Sequence, residues 1–204
     1  MNGELVRASD AQRDAAVAQL REHLVEGRLC LEEFTERMTE AYAAATTADL
    51  EAPLRNLPAA TREARRGRTR LVAALFGSTR RHGRLRLGRR VVCLVGFGNI
   101  DLDLRQTTLE GDVITIVVLG LVATADVYVP EGIEADITGL TVFGHRNAHG
   151  NDLPPLAGMP LVRVLAFGLF VGFDLWRVPM AWAKRTFSEV ISGIGRGEHR
   201  ELAP

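Results

Sequence analysis

A short polar segment, residues 144–152, contains the residue types that most often bind transition metals. It holds two histidines, His145 and His149, together with the carboxylate of Asp152. Imidazole and carboxylate groups are common ligands of zinc and other divalent ions. All three side chains come from one loop without a cysteine, which is a weak ligand set. We therefore predict no metal site and no cofactor, and a metal-dependent enzyme that uses the two histidines stays an alternative.

Asp101 and Asp103 form a second candidate set. Two residues apart in a strand, they project from the same face, where paired carboxylates can bind a cation or act as acids. The sequence supplies no third ligand beside them. We interpret the pair as the solvated face of a strand.

Gly96-Phe97-Gly98 looks like part of a nucleotide-binding loop, but the third glycine and the following helix are missing. A β turn is the structure we predict there. The four serines lack the Gly-x-Ser-x-Gly setting of a hydrolase nucleophile. The sequence therefore predicts no catalytic residue and a protein that is not an enzyme.

Arginine is concentrated in one part of the chain. Residues 59–90 carry 11 arginines and one acid, a net charge of +10, whereas residues 1–58 and 91–204 each carry −5. Such a segment can bind anionic lipid, bind nucleic-acid phosphates, or neutralise the acidic modules in cis or between subunits. For the contact residues we select Arg65, Arg66, Arg68 and Arg70. Phe76 is the only aromatic residue in the segment, so stacking on single-stranded bases is poorly supported.

The elements that carry these residues begin with helices. Ser9 and Gln12 form a possible capping box for a helix over 9–26, and Gly27 is a plausible stop. A second apolar stripe runs to about Ala45, and Thr47 is predicted to cap a third short helix that Pro58 ends. The second stripe contains Phe34, Met38, Ala41 and Tyr42.

This helical unit has too few large apolar side chains to be stable alone. Its stripe therefore needs a second surface, either the β domain of the same chain or another copy. We predict that Phe34, Met38 and Tyr42 mediate assembly, with a protein partner and a homo-oligomer as the expected result.

Beyond residue 70 the sequence predicts strands, and glycines recur within them at a fixed interval. Gly96, Gly120, Gly144 and Gly168 are spaced by 24 residues each time. A period of this length is typical of a solenoid in which each turn stacks on the one before, and a β sandwich or barrel is the alternative. From Pro179 the pattern predicts a C-terminal amphipathic helix that covers the end.

The sequence also bears on location. The longest uncharged apolar run, between Asp112 and Asp126, has 13 residues, and a transmembrane helix needs about 20. Two distant cysteines make no disulfide framework, and the N-terminus lacks a secretory signal. We predict a cytoplasmic protein that is peripheral to the inner face of the membrane.

The helical segment, residues 1–58, contains a set of characteristic residues: Arg7-Ala8-Ser9-Asp10, Arg13, Leu20, Glu26-Gly27-Arg28-Leu29, Glu33-Phe34, Glu36-Arg37, Ala41, Thr46, Leu50 and Leu57-Pro58. On these residues the segment resembles the SHOCT-like short helical domain of actinobacterial proteins of unknown function.

Phe-Gly pairs recur between predicted apolar strands in residues 71–178, at Phe76-Gly77, Phe97-Gly98, Phe143-Gly144 and Phe167-Gly168. With these predicted turns the segment resembles the C-terminal domain of LiaF-like cell-envelope stress proteins, in which such turns recur. The resemblance implies a right-handed, single-stranded β solenoid that acts by protein contact in envelope-stress signalling. LiaF-like proteins usually carry membrane helices before this domain, and here the helical module and an arginine-rich linker stand in that place.

Together these observations predict an α+β chain of four parts. They are a helical domain at 1–58, an arginine-rich linker at 59–70, a β repeat domain at 71–178, and a C-terminal helix and tail at 179–204. The predicted function is a non-enzymatic interaction and oligomerisation module of the envelope-stress response, with a possible anionic membrane surface as partner. The alternative is a nucleic-acid-associated regulator that acts through the arginine-rich segment, although the sequence shows no recognition helix and nucleic acid is the less favoured partner.

Overall fold

The computed structural model describes residues 6–57, 70–150 and 159–196. Helices come first and a mainly parallel β domain follows, which confirms the α+β class. The helices are α1 Asp10–Val25, α2 Leu31–Ala43, α3 Glu51–Leu54 and α4 Phe187–Gly195, with a 3-10 turn at Met180–Trp182. The strands are β1 Arg70–Arg81, β2 Arg86–Leu87, β3 Arg90–Asp103, β4 Thr108–Leu109, β5 Val113–Pro130, β6 Glu134–Phe143, β7 Arg146–His149 and β8 Leu161–Val178.

Helix α1 begins and ends where the sequence predicts. The backbone N–H of Gln12 donates to the Ser9 hydroxyl at 3.3 Å, and the Gln12 side chain accepts from the Ser9 N–H at 2.9 Å. This capping box satisfies donors that the first helical turn leaves open. Gly27, with φ +76°, follows the C-cap Glu26 and takes the left-handed conformation that ends many helices.

The predicted cap of the third helix, Thr47, is wrong. Thr46 and Asp49, rather than Thr47, exchange side-chain and backbone hydrogen bonds, at 2.9 and 3.2 Å. Because this closed turn occupies residues 46–49, the helical segment begins only at Glu51. Pro58, predicted to end the helix, lies outside the described residues.

The larger sheet has six parallel strands, and the smaller one pairs β2 with β4. The long strands follow the order β1, β3, β5, β8, β6, and β7 pairs with the far end of β8. The last long strand therefore lies between β5 and β6. A stack in which each turn lies on the one before would place β8 at the end instead, so the predicted order fails at this strand.

Strands β3, β5 and β8 change the parity of their core-facing residues about half-way along. In β5 the buried residues are even-numbered from Ile114 to Val118 and odd-numbered from Ala123 to Val127. At the end of the strand Tyr128 and Pro130 are buried as well. Strands β3 and β8 make the same change. Since side chains alternate along a strand, two consecutive outward residues are needed at each change. The strands therefore bend around the core, and each has one segment before the bend and one after it.

Three of the four predicted Phe-Gly turns, and the turn predicted at Gly96-Phe97-Gly98, are wrong because these residues lie inside β1, β3 and β8. Gly96, Gly120 and Gly168 lie at the bends of continuous strands, whereas Phe143-Gly144 lies where β6 ends and before β7 begins, as predicted. The interval of 24 residues between the glycines also differs from the pairing register of the strands. Gly120 pairs with Gly168, but Gly120 lies opposite Val95 rather than Gly96.

The helical unit docks on the β domain of the same chain. The backbone N–H groups of Leu31 and Glu32 donate to the carbonyls of Thr107 and Arg105, both at 2.9 Å. Buried residues of both helices belong to the same hydrophobic core as the strands. Of the two surfaces that the sequence allowed for the apolar stripe, the structure thus provides the one within the chain.

The C-terminal segment differs from the single helix predicted from Pro179. A 3-10 turn over Met180–Trp182 follows Pro179, and α4 begins separately after its own capping box, Thr186 with Glu189. Trp182 and Val190 are buried in a second, smaller cluster with Tyr128 of β5. The segment therefore covers the sheet near the carboxyl ends of its strands. Within the described ranges, no helix has both the length and the hydropathy to span a bilayer.

Candidate interaction surface

The outward side of the large sheet is divided by the bends into two surfaces. Residues paired across parallel strands point to the same side, so the register fixes the members of each surface. We call the outward residues before the bend the apolar face and those after it the polar face.

The apolar face is built from aligned aliphatic and aromatic side chains. Leu94 pairs with Leu119, Leu119 with Phe167, and Phe167 with Leu140. All four are exposed, from 38% for Leu94 to 68% for Leu140. Other exposed or half-buried members are Leu71, Val92, Val113, Val117, Leu121, Leu165, Leu169 and Val142.

A row of four phenylalanines and one valine lies at the bend. In register across the sheet, this bend row consists of Phe76, Phe97, Val122, Phe170 and Phe143. The rings of Phe76 and Phe97 stack with centroids 5.5 Å apart, and those of Phe143 and Phe170 with centroids 5.0 Å apart. All five side chains are exposed, Phe76 to 76%.

This concentration of exposed apolar side chains is specific to one sheet. Of the 15 large hydrophobic residues exposed in the described part of the chain, all except Val6 lie in its strands. Parallel sheets are normally covered on both faces, and contiguous exposed apolar patches mark interaction sites. The core-facing residues of these strands are buried, and the outward residues before and at the bend are left without cover by the described residues. Beyond the bend, the outward residues Asp101, Asp103 and Tyr128 are buried.

The polar face carries a row of charges in the same register. Arg80, Asp101, Asp126, Asp174 and Asn147 are successive partners across five strands. Arg80 donates to Asp101 at 2.9 Å, and the Trp176 indole donates to Asp126 at 3.1 Å. Burial raises the pKa of Asp126, and the carboxylates of Asp174 and Asp101 add to that effect against the Trp176 hydrogen bond.

The two histidines of the metal candidate contact the end of this row. Nε2 of His149 lies 2.9 Å from one Asp174 oxygen, and Nε2 of His145 lies 3.3 Å from the other. Burial acts to raise the pKa of Asp174, but hydrogen bonds from His149, Asn147 and His145 outweigh it and hold that pKa below its usual value. Asp152, the third predicted ligand, lies outside the described residues. Within those residues no three potential ligands come together as a metal cluster.

The prediction that Asp101 and Asp103 form a solvated face is wrong. Both residues are buried, at 5% and 3% exposure, and each pairs with an arginine. Arg105 donates two hydrogen bonds to Asp103, at 3.0 and 2.9 Å. It also donates to the carbonyls of Trp182 and Arg185. Sequence reasoning missed Arg105, although an arginine two residues beyond an aspartate was visible.

The residues predicted to mediate contact lie in different places. Phe34 and Met38 are 0% and 1% exposed within the chain's own core, so a partner could reach them only if the helices left the β domain. Tyr42 is half-buried and donates to Asp14 at 3.1 Å. Arg65, Arg66 and Arg68 fall outside the described residues, and Arg70 begins β1.

Comparison with known proteins places this architecture in a family. A family model for the DUF1707 SHOCT-like domain matches residues 6–58, which are the helical unit. The chain is 30% identical over 185 residues to Uncharacterized protein Rv0966c of Mycobacterium tuberculosis strain H37Rv, covering 86% of this chain and 90% of that protein. The chain belongs to the same family.

A second relative gives the same result. Uncharacterized protein MT0994 of Mycobacterium tuberculosis strain CDC 1551 is also 30% identical over 185 residues, with the same coverage of both chains. An alignment of this extent must pass beyond the SHOCT-like domain into the β domain, so the family shares both parts. No solved structure matches the chain.

Proposed function

We propose that this family member is a non-enzymatic interaction module whose contact surface is the apolar face with its bend row. The observation that carries the proposal is the row Leu94, Leu119, Phe167 and Leu140, which exposes four large apolar side chains at one level of the sheet. A patch of this composition fits the core of a protein interface, since aromatic residues are enriched there and charged residues are depleted. The helical unit supports the β domain from another side.

We further propose a LiaF-like role in the cell-envelope stress response, with a β solenoid as the architecture of the repeat domain. Support comes from β1 to β5, where the chain alternates between the large sheet and the small one and each strand pairs in parallel with the strand two later. Successive turns of a right-handed solenoid give this pairing. The C-terminal segment would then cover one side of the coil.

Site-specific crosslinking tests the contact surface. A photoreactive phenylalanine analogue at Phe167, in the centre of the apolar face, should give covalent protein adducts in cells that express the full chain. The same analogue at Gln106, which is exposed in the turn after β3, serves as the matched control. Adducts from position 167 and none from position 106 support the proposal. Equal yields from both positions, or none from either, would refute it.

A further inference from the structure

One level of the apolar face carries three charged side chains, two basic and one acidic. Arg90, Thr115, Arg163 and Asp136 are successive partners across β3, β5, β8 and β6. The charged members of the row are exposed. Glu134, two residues before Asp136, adds a second carboxylate on the same side of β6. The acidic residues of the face thus lie together on the edge strand β6, and the basic residues lie on β3 and β8.

This distribution is self-complementary under one symmetry operation. A two-fold axis parallel to the strands, between β5 and β8, turns a second copy face to face and reverses the order of its strands. It then places β3 of one copy opposite β6 of the other at the same level. Arg90 faces Asp136 of the second copy, Arg163 faces Thr115, and the apolar rows lie against each other. An axis centred on β5 would instead bring Arg90 opposite Arg163 of the second copy, which is repulsive.

We propose that two copies of this chain pack apolar face to apolar face about that axis, with Arg90 of each copy paired to Asp136 of the other. The inference rests on the proposed function and names its partner. A second sheet of the same kind is a fitting cover because sheets pack in aligned pairs about 10 Å apart with interdigitated side chains. An isologous dimer requires a patch that complements itself, and this one does.

The charges decide against a lipid surface as the occupant. Immersion of this face in a bilayer would bury Asp136 and Glu134 without partners, and an anionic membrane would repel both carboxylates. In the dimer, Asp136 faces Arg90 of the other copy, and Glu134 lies two residues before that pair.

Reciprocal charge reversal tests the pairing on the full chain. Arg90→Asp alone and Asp136→Arg alone each place like charges opposite one another, so each should raise the dimer dissociation constant by about tenfold or more in sedimentation equilibrium. An equimolar mixture of the two variants restores both pairs and should recover a mixed dimer of wild-type affinity. Arg84→Asp, exposed in the connection after β1, is the control and should leave the constant unchanged.

Three results would overturn the dimer. They are a wild-type monomer at tens of micromolar, a dimer unaffected by either reversal, and two weakened variants that do not recover on mixing. Thermal unfolding of each variant confirms that the fold is intact. Failure here is distinguishable from failure of the proposed function, because crosslinking at Phe167 to a different protein would sustain that function while refuting self-association.

Discussion

Arg105 holds Asp103 in a bidentate ion pair that is almost completely buried, with side-chain exposures of 3% and 4%. The same guanidinium donates to the carbonyls of Trp182 and Arg185 in the C-terminal segment, while the Arg105 carbonyl accepts from the N–H of Glu32 at the start of α2. One residue therefore joins the end of β3, the C-terminal segment and the helical unit.

Removing this arginine should be strongly destabilising. Arg105→Met leaves the Asp103 carboxylate buried without a counter-charge, and we expect a loss of about 3–5 kcal/mol in the free energy of unfolding. Urea denaturation followed by circular dichroism measures it. The double variant with Asp103→Leu should recover part of the loss because no charge is then buried, and an unchanged denaturation midpoint for the single variant would contradict the assignment.

Glu32 should make stability depend on pH. Burial raises its pKa from 4.5 to about 7 despite the opposing charge of Arg105, and its Oε1 accepts no hydrogen bond from the described residues. The folded state therefore retains a proton that the unfolded chain releases near pH 4.5, so this residue's contribution to stability falls as pH rises from about 4.5 to 7.

Glu32→Gln removes that dependence. We expect the variant to melt at a higher temperature than the wild type at pH 8, with the difference shrinking towards pH 5, as measured by differential scanning calorimetry. Glu40→Gln, on an exposed position of the same helix, is the control and should track the wild type. A Glu32→Gln difference that is the same at both pH values would contradict the prediction.

Asp174 should stabilise the pairing of β7 with the sheet. Its depressed pKa contributes stability above the unfolded value, and this is lost as pH falls through the folded pKa. Asp174→Asn weakens the contacts with His145 and His149, so amide hydrogen exchange at Arg146–His149 should accelerate while exchange in β5 stays unchanged. The global effect should stay within about 1 kcal/mol because the site is partly exposed. Uniform acceleration throughout the sheet would contradict this local role.

The bend should not tolerate a side chain at Gly168. A Cβ there would lie 2.5 Å from the Gly120 carbonyl oxygen and closer still to the Val171 side chain. Gly168→Ala should therefore reduce the free energy of unfolding by about 1–3 kcal/mol in chemical denaturation. Gly195→Ala, where a Cβ meets no atom within 4 Å, is the matched control and should be neutral or slightly stabilising.

The arginine-rich segment has its own test. We predict that the full chain co-sediments with anionic vesicles and not with neutral ones, and that changing Arg65, Arg66, Arg68 and Arg70 to glutamine abolishes binding. Each basic residue near an anionic surface contributes about 1 kcal/mol. Equal sedimentation of wild type and variant would remove the membrane from the list of partners, and a salt-dependent shift of DNA mobility would favour the nucleic-acid alternative.

Local chemistry explains which parts of the fold could be predicted from the sequence. The capping box of Ser9 and Gln12 and the stop at Gly27 depend only on neighbouring residues, and both are confirmed. Assignments that need distant partners were less successful. Asp101 and Asp103 were predicted as solvated because their arginines become partners only when β1 and the chain after β3 are in place.

The candidate surface could not be predicted from the sequence, for a related reason. Alternation of apolar residues does not distinguish an outward row from an inward one, and both sides of these strands are apolar. Which residues point outward depends on the bends, because two consecutive residues point outward there and the alternation changes parity. The glycine period therefore marks bends at Gly96, Gly120 and Gly168, where turns were predicted, and a break between strands at Gly144.

The position of β8 has a consequence for biosynthesis. Strand β6 pairs with β8 and with no other described strand, and β8 is made after it. A nascent chain that has emerged only as far as β6 has no sheet partner for that strand, and the edge of β5 that β8 will occupy is open. Completion of the sheet must therefore wait until residues 161–178 have left the ribosome, so truncation before them should yield a chain exposed to chaperones and proteases.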